Sequence, residues 1–325
     1  MKAMILAAGF GTRLFPLTID RTKPAVPFLG KPLVGYVAEY VARFGFEEVV
    51  VNLHHQPDSV KAALGDGSAF GTKIHYTLET PKILGTAGAL DNARELLEDD
   101  TFLIVNGKII TDIDIRAALE THRKSGALAT MVLMENAKRE RFTEVLVEDG
   151  AVTGFGDFAD EDSENSSIPY MFTGIHILEP RVFDYIPRGV YSDIVPTFYN
   201  PAIRNGELIA AHIATGKWFE MSTIERYRDI NLAMSPDPEN VFGRNFSLGA
   251  ASSIIGSVVW DNVSIGEGST IRNAVIGDGV SIPSGSHFEN VAIVTSEMLS
   301  HCSEIPPKAL HGKHIGSNYV VDLAG

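Results

Sequence analysis

The chain has 325 residues, 45% of them apolar and 21% charged, which is enough to bury a sizeable core in one large domain or two unequal ones and excludes the disordered class. A formal net charge of −14 excludes a general binder of nucleic acid or of membrane surfaces, since neither polyanion attracts such a chain, and it means that any anionic substrate must be met by locally concentrated cations. The single cysteine, Cys302, excludes an intrachain disulfide and a thiolate metal cluster, and it reads as a free buried thiol in a cytoplasmic protein.

In chain order, the N-terminal apolar run is interrupted by glycines within ten residues and has no cleavage-site pattern. No stretch approaches the roughly 20 apolar residues that span a bilayer, so a soluble protein is expected. Residues 3–8 (AMILAA) predict a strand, 34–45 (VGYVAEYVARFG) a helix closed by Gly45, 47–53 (EEVVVNL) a strand and 59–67 (SVKAALGDG) a helix stopped at glycine. Residues 73–79 (KIHYTLE), 85–97 (GTAGALDNARELL) and 101–107 (TFLIVNG) continue the pattern as strand, helix and strand. Such alternation predicts an α/β, Rossmann-like domain, a mostly parallel sheet with helices on both faces that binds its ligand at the carboxyl ends of the strands.

From about residue 240 the helical period disappears. Ile265, Ile271, Ile276, Ile282 and Phe288 recur at steps of six, five, six and six, with Ile-Gly pairs at Ile255, Ile265 and Ile276. This is a hexapeptide period, and it predicts a β-helix in which each side of a coil points one aliphatic residue inward while small residues turn the corners. The proline-bearing stretch 232–243 (LAMSPDPENVFG) reads as the linker, placing one domain over 1–235 and the second over 236–325. A β-helix exposes sheet faces and an open coil end, which suits a homo-oligomer.

The strongest chemical signal is residues 6–32, LAAGFGTRLFPLTIDRTKPAVPFLGKP. Gly9 and Gly11 let the backbone bring N–H groups close to a polyphosphate, Thr12 adds a hydroxyl donor, and Arg13 and Lys23, ten residues apart, supply positive charge. At nearly every marked position this segment resembles the signature of the sugar-1-phosphate nucleotidyltransferase family. The resemblance continues through ETPKILGTAGAL (79–90), FTGIHIL (172–178), YSDIVP (191–196) and GKWFEMSTIERY (216–227), and within the family it is strongest to bacterial and archaeal NDP-sugar synthases related to mannose-1-phosphate guanylyltransferases.

The resemblance implies a reaction of an NTP with a sugar 1-phosphate, giving an NDP-sugar and pyrophosphate, with GDP-mannose the favoured product. It assigns the nucleotide to Leu6, Ala8, Gly9, Gly11, Thr12, Arg13, Glu79, Gly85 and Gly88, with the Glu79 carboxylate accepting from the N1 and N2 donors of guanine. Lys23, Asn106 and Gly174 fall to the sugar phosphate, and Arg13 and Lys23 to the reaction centre. It also implies that the β-helix is left-handed.

One departure from the pattern concerns Mg²⁺. The family reads Asn-Gly-Asp where this chain has Asn106, Gly107 and Lys108, and the second family ligand position is Glu220 in place of aspartate. Three readings stay open. Lys108 supplies a fixed charge where the ion would sit; or Asp112 or Asp114 joins Glu220 in a displaced site, against the plainer reading of these aspartates as a helix N-cap region; or catalysis is lost and the chain is a regulatory sensor of nucleotide or nucleotide sugar. An acyltransferase carried by the hexapeptide tail is a further class, but the tail is short and has no recognisable catalytic histidine loop. His54, His55, His301, His311 and His314 make no zinc pattern.

Overall fold

In the computed structural model the described residues are 1–158, 167–300, 305–306 and 309–323, so His301, Cys302 and part of the acidic stretch 154–164 lie outside them. The chain divides into two compact units. One comprises Met1–Ala8, Gly35–Pro57 and Leu64–Trp218; the other comprises Gly9–Val34, Asp58–Ala63 and Phe219–Gly325.

The first unit is built on a nine-stranded sheet. Its strands are β1 (Ala3–Leu6), β2 (Glu48–Leu53), β3 (Lys73–Leu78), β4 (Phe102–Asn106), β5 (Ala129–Glu135), β6 (Thr143–Glu148), β7 (Ala151–Phe158), β8 (Tyr170–Leu178) and β9 (Ile209–Ile213). Their spatial order is β3-β2-β1-β4-β8-β5-β9-β7-β6. The four strands expected from the N-terminal third pair in parallel, as does β5 with β9.

The remaining ladders are antiparallel, with β8 running against both β4 and β5 and with β6 and β7 forming a hairpin. The sheet is therefore mixed, which corrects the expectation of a mostly parallel one. The hairpin turns at Asp149 and Gly150, both with positive φ (48° and 78°), the pair that a two-residue turn of this hand demands. One core cluster packs Met4, Phe102, Ile104, Met131 and Leu133 of the sheet against Leu90, Leu97, Phe198 and Tyr199.

The helices are α1 (Leu33–Arg43), α2 (Pro57–Leu64), α3 (Gly85–Asn92), α4 (Ile115–Ser125) and α5 (Ile224–Met234), with shorter turns between. The predicted helix 85–97 is split at Ala93, after which Arg94–Leu97 forms its own turn. Asp114 caps α4 by accepting from Arg116 N at 2.9 Å, so its carboxylate serves the helix start, and Gly126, φ 62°, closes the other end. Among the described residues no helix is long and apolar enough to cross a membrane.

The second unit contains parallel short strands stacked in coils, consistent with a β-helix. Register partners are 17 residues apart on each of three faces, as Ser247 with Ser264 and Ser281, Ile254 with Ile271 and Phe288, and Val258 with Val275. This explains the five-residue step in the sequence: each coil has two six-residue sides and one of five. Every corner carries one residue with positive φ, again at 17-residue spacing: Asn245, Asn262 and Gly279; Ala251, Gly268 and Gly285; Gly256, Asn273 and Asn290. Asparagine tolerates the left-handed region through short local hydrogen bonds, and here it also stacks, with Asn245 Nδ2 donating to Asn262 Oδ1 (2.8 Å) and Asn273 Nδ2 to Asn290 Oδ1 (3.1 Å). Ile265, Ile271, Ile276 and Ile282 fill the interior, and the last coil is covered by Asn318–Asp322, antiparallel to Val291–Thr295.

Two outcomes follow from this packing. Ile276→Ala should destabilise the coil unit by about 2–5 kcal/mol in urea unfolding, because it leaves a cavity in a filled interior, whereas Ile255→Ala, at a side chain 51% exposed, should fall within about 0.5 kcal/mol of wild type. In the sheet unit His176 is buried, contacts the Tyr199 hydroxyl through Nδ1, and is pushed by burial from its ordinary 6.5 to about 3. The unfolded chain thus takes up this proton well before the folded one. The contribution is fully present above about pH 6.5 and declines as pH falls toward 3, by up to about 1.4 kcal/mol per pH unit. His176→Gln should flatten that part of the stability profile.

Candidate functional site

Strand β1 lies between β2 and β4, the point at which the strand order reverses and where the carboxyl edge of such a sheet opens a crevice. Register places Thr77, Asn52, Leu6 and Asn106 in one row along that edge. Gly107 continues from Asn106, its N–H donating to Leu6 O at 3.0 Å; a Cβ there would stand 2.8 Å from the same oxygen, so the position requires glycine. Lys108 follows, half-buried, in the turn before Ile109.

On the other side of β4, Ile175 pairs with Val105, which sets Gly174 beside Asn106. Gly174 has φ 79°, its missing Cβ leaves the space that the Asn106 carboxamide occupies, and the strand bulges between Phe172 and Ile175. Thr173 is fastened on both sides, its hydroxyl donating to Val132 O (2.7 Å) and its carbonyl accepting from Trp218 Nε1 (2.8 Å). The two sugar-phosphate candidates of this unit, Asn106 and Gly174, are thus brought together.

Glu79 has a different place from the one expected. It is 1% exposed; Oε1 accepts from Asn52 Nδ2 and Oε2 from Leu84 N, each at 2.6 Å, while its carbonyl meets His54 Nδ1 at 2.8 Å. The carboxylate is committed to the chain's own donors, so we place it beneath the loop 79–84 and withdraw its role in reading guanine. Asn52, which the sequence reading passed over, completes the arrangement by accepting from Ala7 N at 2.7 Å. A signal was available: Asn52 closes an apolar strand just as Asn106 does, and a polar residue at the ligand edge of a strand invites inspection.

Gly85 and Gly88 begin α3, but their open faces are filled by the segment 190–193. A Cβ on Gly85 would lie 2.6 Å from Ser192 O, and one on Gly88 2.7 Å from Val190 O. The first free donors of the helix are also used: Ala87 N and Gly88 N both donate to Ser192 O (2.8 and 3.1 Å). The Asp193 carboxylate takes the Tyr191 hydroxyl at 2.9 Å and stands 3.4 Å from Thr86 N. These glycines therefore serve close packing of the YSDIVP motif, a role the sequence reading did not give them.

In the second unit the glycine-rich segment forms a tight turn. Gly11 has φ 65°, its carbonyl accepts from Leu14 N (2.9 Å) and from the Thr18 hydroxyl (3.3 Å), and Thr12–Leu14 makes a single 3₁₀ turn. A Cβ on Gly11 would lie 3.1 Å from Lys23 Cβ and 3.3 Å from Lys23 N, so the glycine presses the turn against the lysine. Lys23 is 8% exposed, whereas Arg13 and Gly9 face solvent. Gly11 and Lys23, 12 positions apart in sequence, are brought into contact by this fold.

The carboxylates considered for metal binding have other partners. Asp112 Oδ1 accepts from Lys217 N at 2.6 Å, and Lys217 O in turn accepts from Asp112 N (3.2 Å) and the Thr111 hydroxyl (2.7 Å), so this aspartate fastens a turn. Glu220 ends the strand Trp218–Glu220 and its carbonyl accepts from Arg226 Nε at 3.3 Å. Among the described residues no group of three or more His, Cys, Asp or Glu is placed to hold a metal ion. Lys108 thus stands at one family ligand position, and Oδ1 of Asp112 is engaged by the Lys217 amide.

Residues 2–236 match the sequence model of the Nucleotidyl transferase family, and residues 238–289 match that of the GlmU-like C-terminal hexapeptide. The chain is similar to N-acetylmuramate alpha-1-phosphate uridylyltransferase of Neisseria meningitidis serogroup B (34% identical, covering 70% of this chain and 96% of that one). It is similar to UTP–glucose-1-phosphate uridylyltransferase of Synechocystis sp. (32%, covering 74% of this chain and 65% of that one), so it spans just under two-thirds of that relative's length. It is also 29% identical to mannose-1-phosphate guanylyltransferase of Mycobacterium tuberculosis over 80% of each chain. Among solved structures it shares its fold with a Bacillus anthracis protein solved as a glucose-1-phosphate thymidylyltransferase in complex with sucrose (TM-score 0.61, 22% identical, covering 72% of this chain and 94% of that one). With its glycine turn, its sheet edge and a family match over most of its length, the chain belongs to the Nucleotidyl transferase family.

Proposed function

We propose that the chain transfers a nucleotidyl group from an NTP to a sugar 1-phosphate. The observation that carries this reading is the Gly11 turn pressed against a buried Lys23, with Arg13 one residue beyond Thr12, in a protein whose net charge is −14. Backbone N–H groups of a glycine-shaped turn, with an arginine and a lysine in the same segment, are the kind of donors that a polyphosphate takes.

A sugar-phosphate oxygen attacks the α-phosphorus in line; that P–O bond forms as the bond to the bridging oxygen of pyrophosphate breaks, and the electron pair leaves with pyrophosphate. The second pKa of a phosphate monoester is about 6, so the nucleophile is already largely ionised at neutral pH and needs no general base. What remains is repulsion between two anions. Arg13 and Lys23 oppose it at the phosphate chain, backbone N–H groups of residues 9–13 orient the triphosphate, and Asn106 with Gly174 receives the sugar phosphate. Lys108 adds a further positive charge at the position where the family carries an aspartate. Mg²⁺ enters this scheme with the nucleotide, as part of the substrate.

For the nucleotide we propose GTP and for the acceptor mannose 1-phosphate, a pairing supported by the guanylyltransferase relative matched over 80% of both chains, with UTP and glucose 1-phosphate the competing pair from the uridylyltransferase relatives. We also propose a left-handed winding of the coil and a cytoplasmic homo-oligomer. Self-association is supported by the first coil, whose strand Asn240–Phe242 ends its sheet and whose Phe242 and Leu248 are both 42% exposed.

Release of pyrophosphate should be observed with one NTP and one sugar 1-phosphate from a panel of four NTPs and several sugars, and should require both substrates. Lys23→Ala should lower kcat/KM by about 10²–10³-fold, the range for losing one charge-stabilising donor. Lys108→Asp should raise the dependence of turnover on free Mg²⁺, because it restores a ligand and deletes a cation. No release from any pair by the wild-type protein overturns the reading.

A further inference from the structure

We infer that Asn52 is a positioning residue for nucleotidyl transfer and that Asn52 and Glu79 act together as a hydrogen-bond relay between the two glycine-bearing segments of the chain; the functional part of this inference rests on the reading above. Four groups stand in line within the sheet unit: the Ala7 N–H, the Asn52 carboxamide, the Glu79 carboxylate and the Leu84 N–H. Both ends of the line are backbone donors. Asn52 accepts the first on Oδ1 at 2.7 Å and passes a donor onward through Nδ2, and Glu79 accepts that donor on Oε1 and the Leu84 N–H on Oε2, each at 2.6 Å.

Only one combination of side chains closes such a line. An amide transmits polarity, since it accepts on one side and donates on the other, while a carboxylate accepts on both. Two donors facing inward therefore need one amide and one carboxylate. With two amides, every choice of flip leaves a donor facing a donor; with two carboxylates, acceptor faces acceptor. Asn52 is 3% and Glu79 1% exposed, so water is not at hand to repair a mismatch.

The ends of the relay give it its function. Ala7 precedes Gly9 by two residues, at the point where the chain leaves β1 for the glycine turn, and Leu84 immediately precedes Gly85 and α3. The Glu79 backbone is itself fixed, its N–H donating to Leu53 O at 2.8 Å and its carbonyl held by His54. One buried pair thus fixes the backbone at the end of β1 and at the start of α3 before any nucleotide arrives, and a misplacement of about 1 Å at such positions can cost on the order of 10²-fold in rate.

The line can be closed in the opposite sense, which supplies the test. In the double variant Asn52→Asp/Glu79→Gln, the carboxylate at position 52 accepts from Ala7 N and from the amide at position 79, whose carbonyl accepts from Leu84 N. Hydrogen exchange of the Ala7 and Leu84 amides should quicken in Asn52→Asp and in Glu79→Gln and return toward wild type in the double variant. In pyrophosphate release with GTP plus mannose 1-phosphate and UTP plus glucose 1-phosphate, each single variant should raise the KM for the NTP about tenfold or more, leave the KM for the sugar phosphate unchanged, and be recovered to within about threefold by the exchange.

Single variants with wild-type exchange and wild-type KM, a double variant no better than the worse single, or losses that merely track a lowered Tm would each overturn the inference. Because the exchange arm needs no turnover, a wild-type protein that releases no pyrophosphate would sink the proposed function while the relay is still decided by the amides.

Discussion

Two backbone N–H groups of the sheet unit, at Ala7 and Leu84, are joined through one buried side-chain pair, Asn52 and Glu79, and the sheet edge of the candidate site is built around that pair. Backbone donors inside a fold need acceptors, and the chain meets this need with one carboxamide and one carboxylate, the combination that closes between two donors. The consequence is a fixed exit for the chain at the carboxyl edge of β1 and a fixed start for α3. The Ser192 carbonyl does similar work, taking the Ala87 and Gly88 donors in the first turn of that helix. Segments far apart in sequence are thus held at one sheet edge by polar groups of the sheet unit.

Much of the fold was legible because its signals are periodic. The first four strands of the sheet, the helices between them and the hexapeptide tail all follow from apolar spacing, and even the irregular five-residue step from Ile271 to Ile276 had a structural meaning, the short side of a 17-residue coil. What escaped was relational. The antiparallel half of the sheet arises where the strand–helix alternation gives way to strands joined by turns, and Asp149-Gly150 marked that change with the dipeptide that favours a tight hairpin. No local pattern announces that β8 inserts between β4 and β5.

The site was legible in part for the same reason. Gly11 and Gly174 could be picked out because each has a positive φ and a neighbour where its Cβ would be, and such positions keep glycine in sequence. Glu79, and the role of Asp112 that stayed open, were hard to read because a carboxylate in a loop looks the same in sequence whether it faces a ligand or a backbone amide. Burial and partner decide between the two, and both residues are given over to the scaffold. Lys108 is the converse case: its identity alone sets it apart from the family pattern, and family membership over residues 2–236 makes that difference a question about charge at the reaction centre.

The central claim is that the Gly9–Arg13 turn and Lys23 hold the phosphate chain of a nucleoside triphosphate. Crystals of the full chain grown with GTP or with UTP test it most directly. The account predicts triphosphate density along the turn, within hydrogen-bond reach of backbone N–H groups, Arg13 and Lys23. A nucleotide bound elsewhere while the turn stays empty would contradict it.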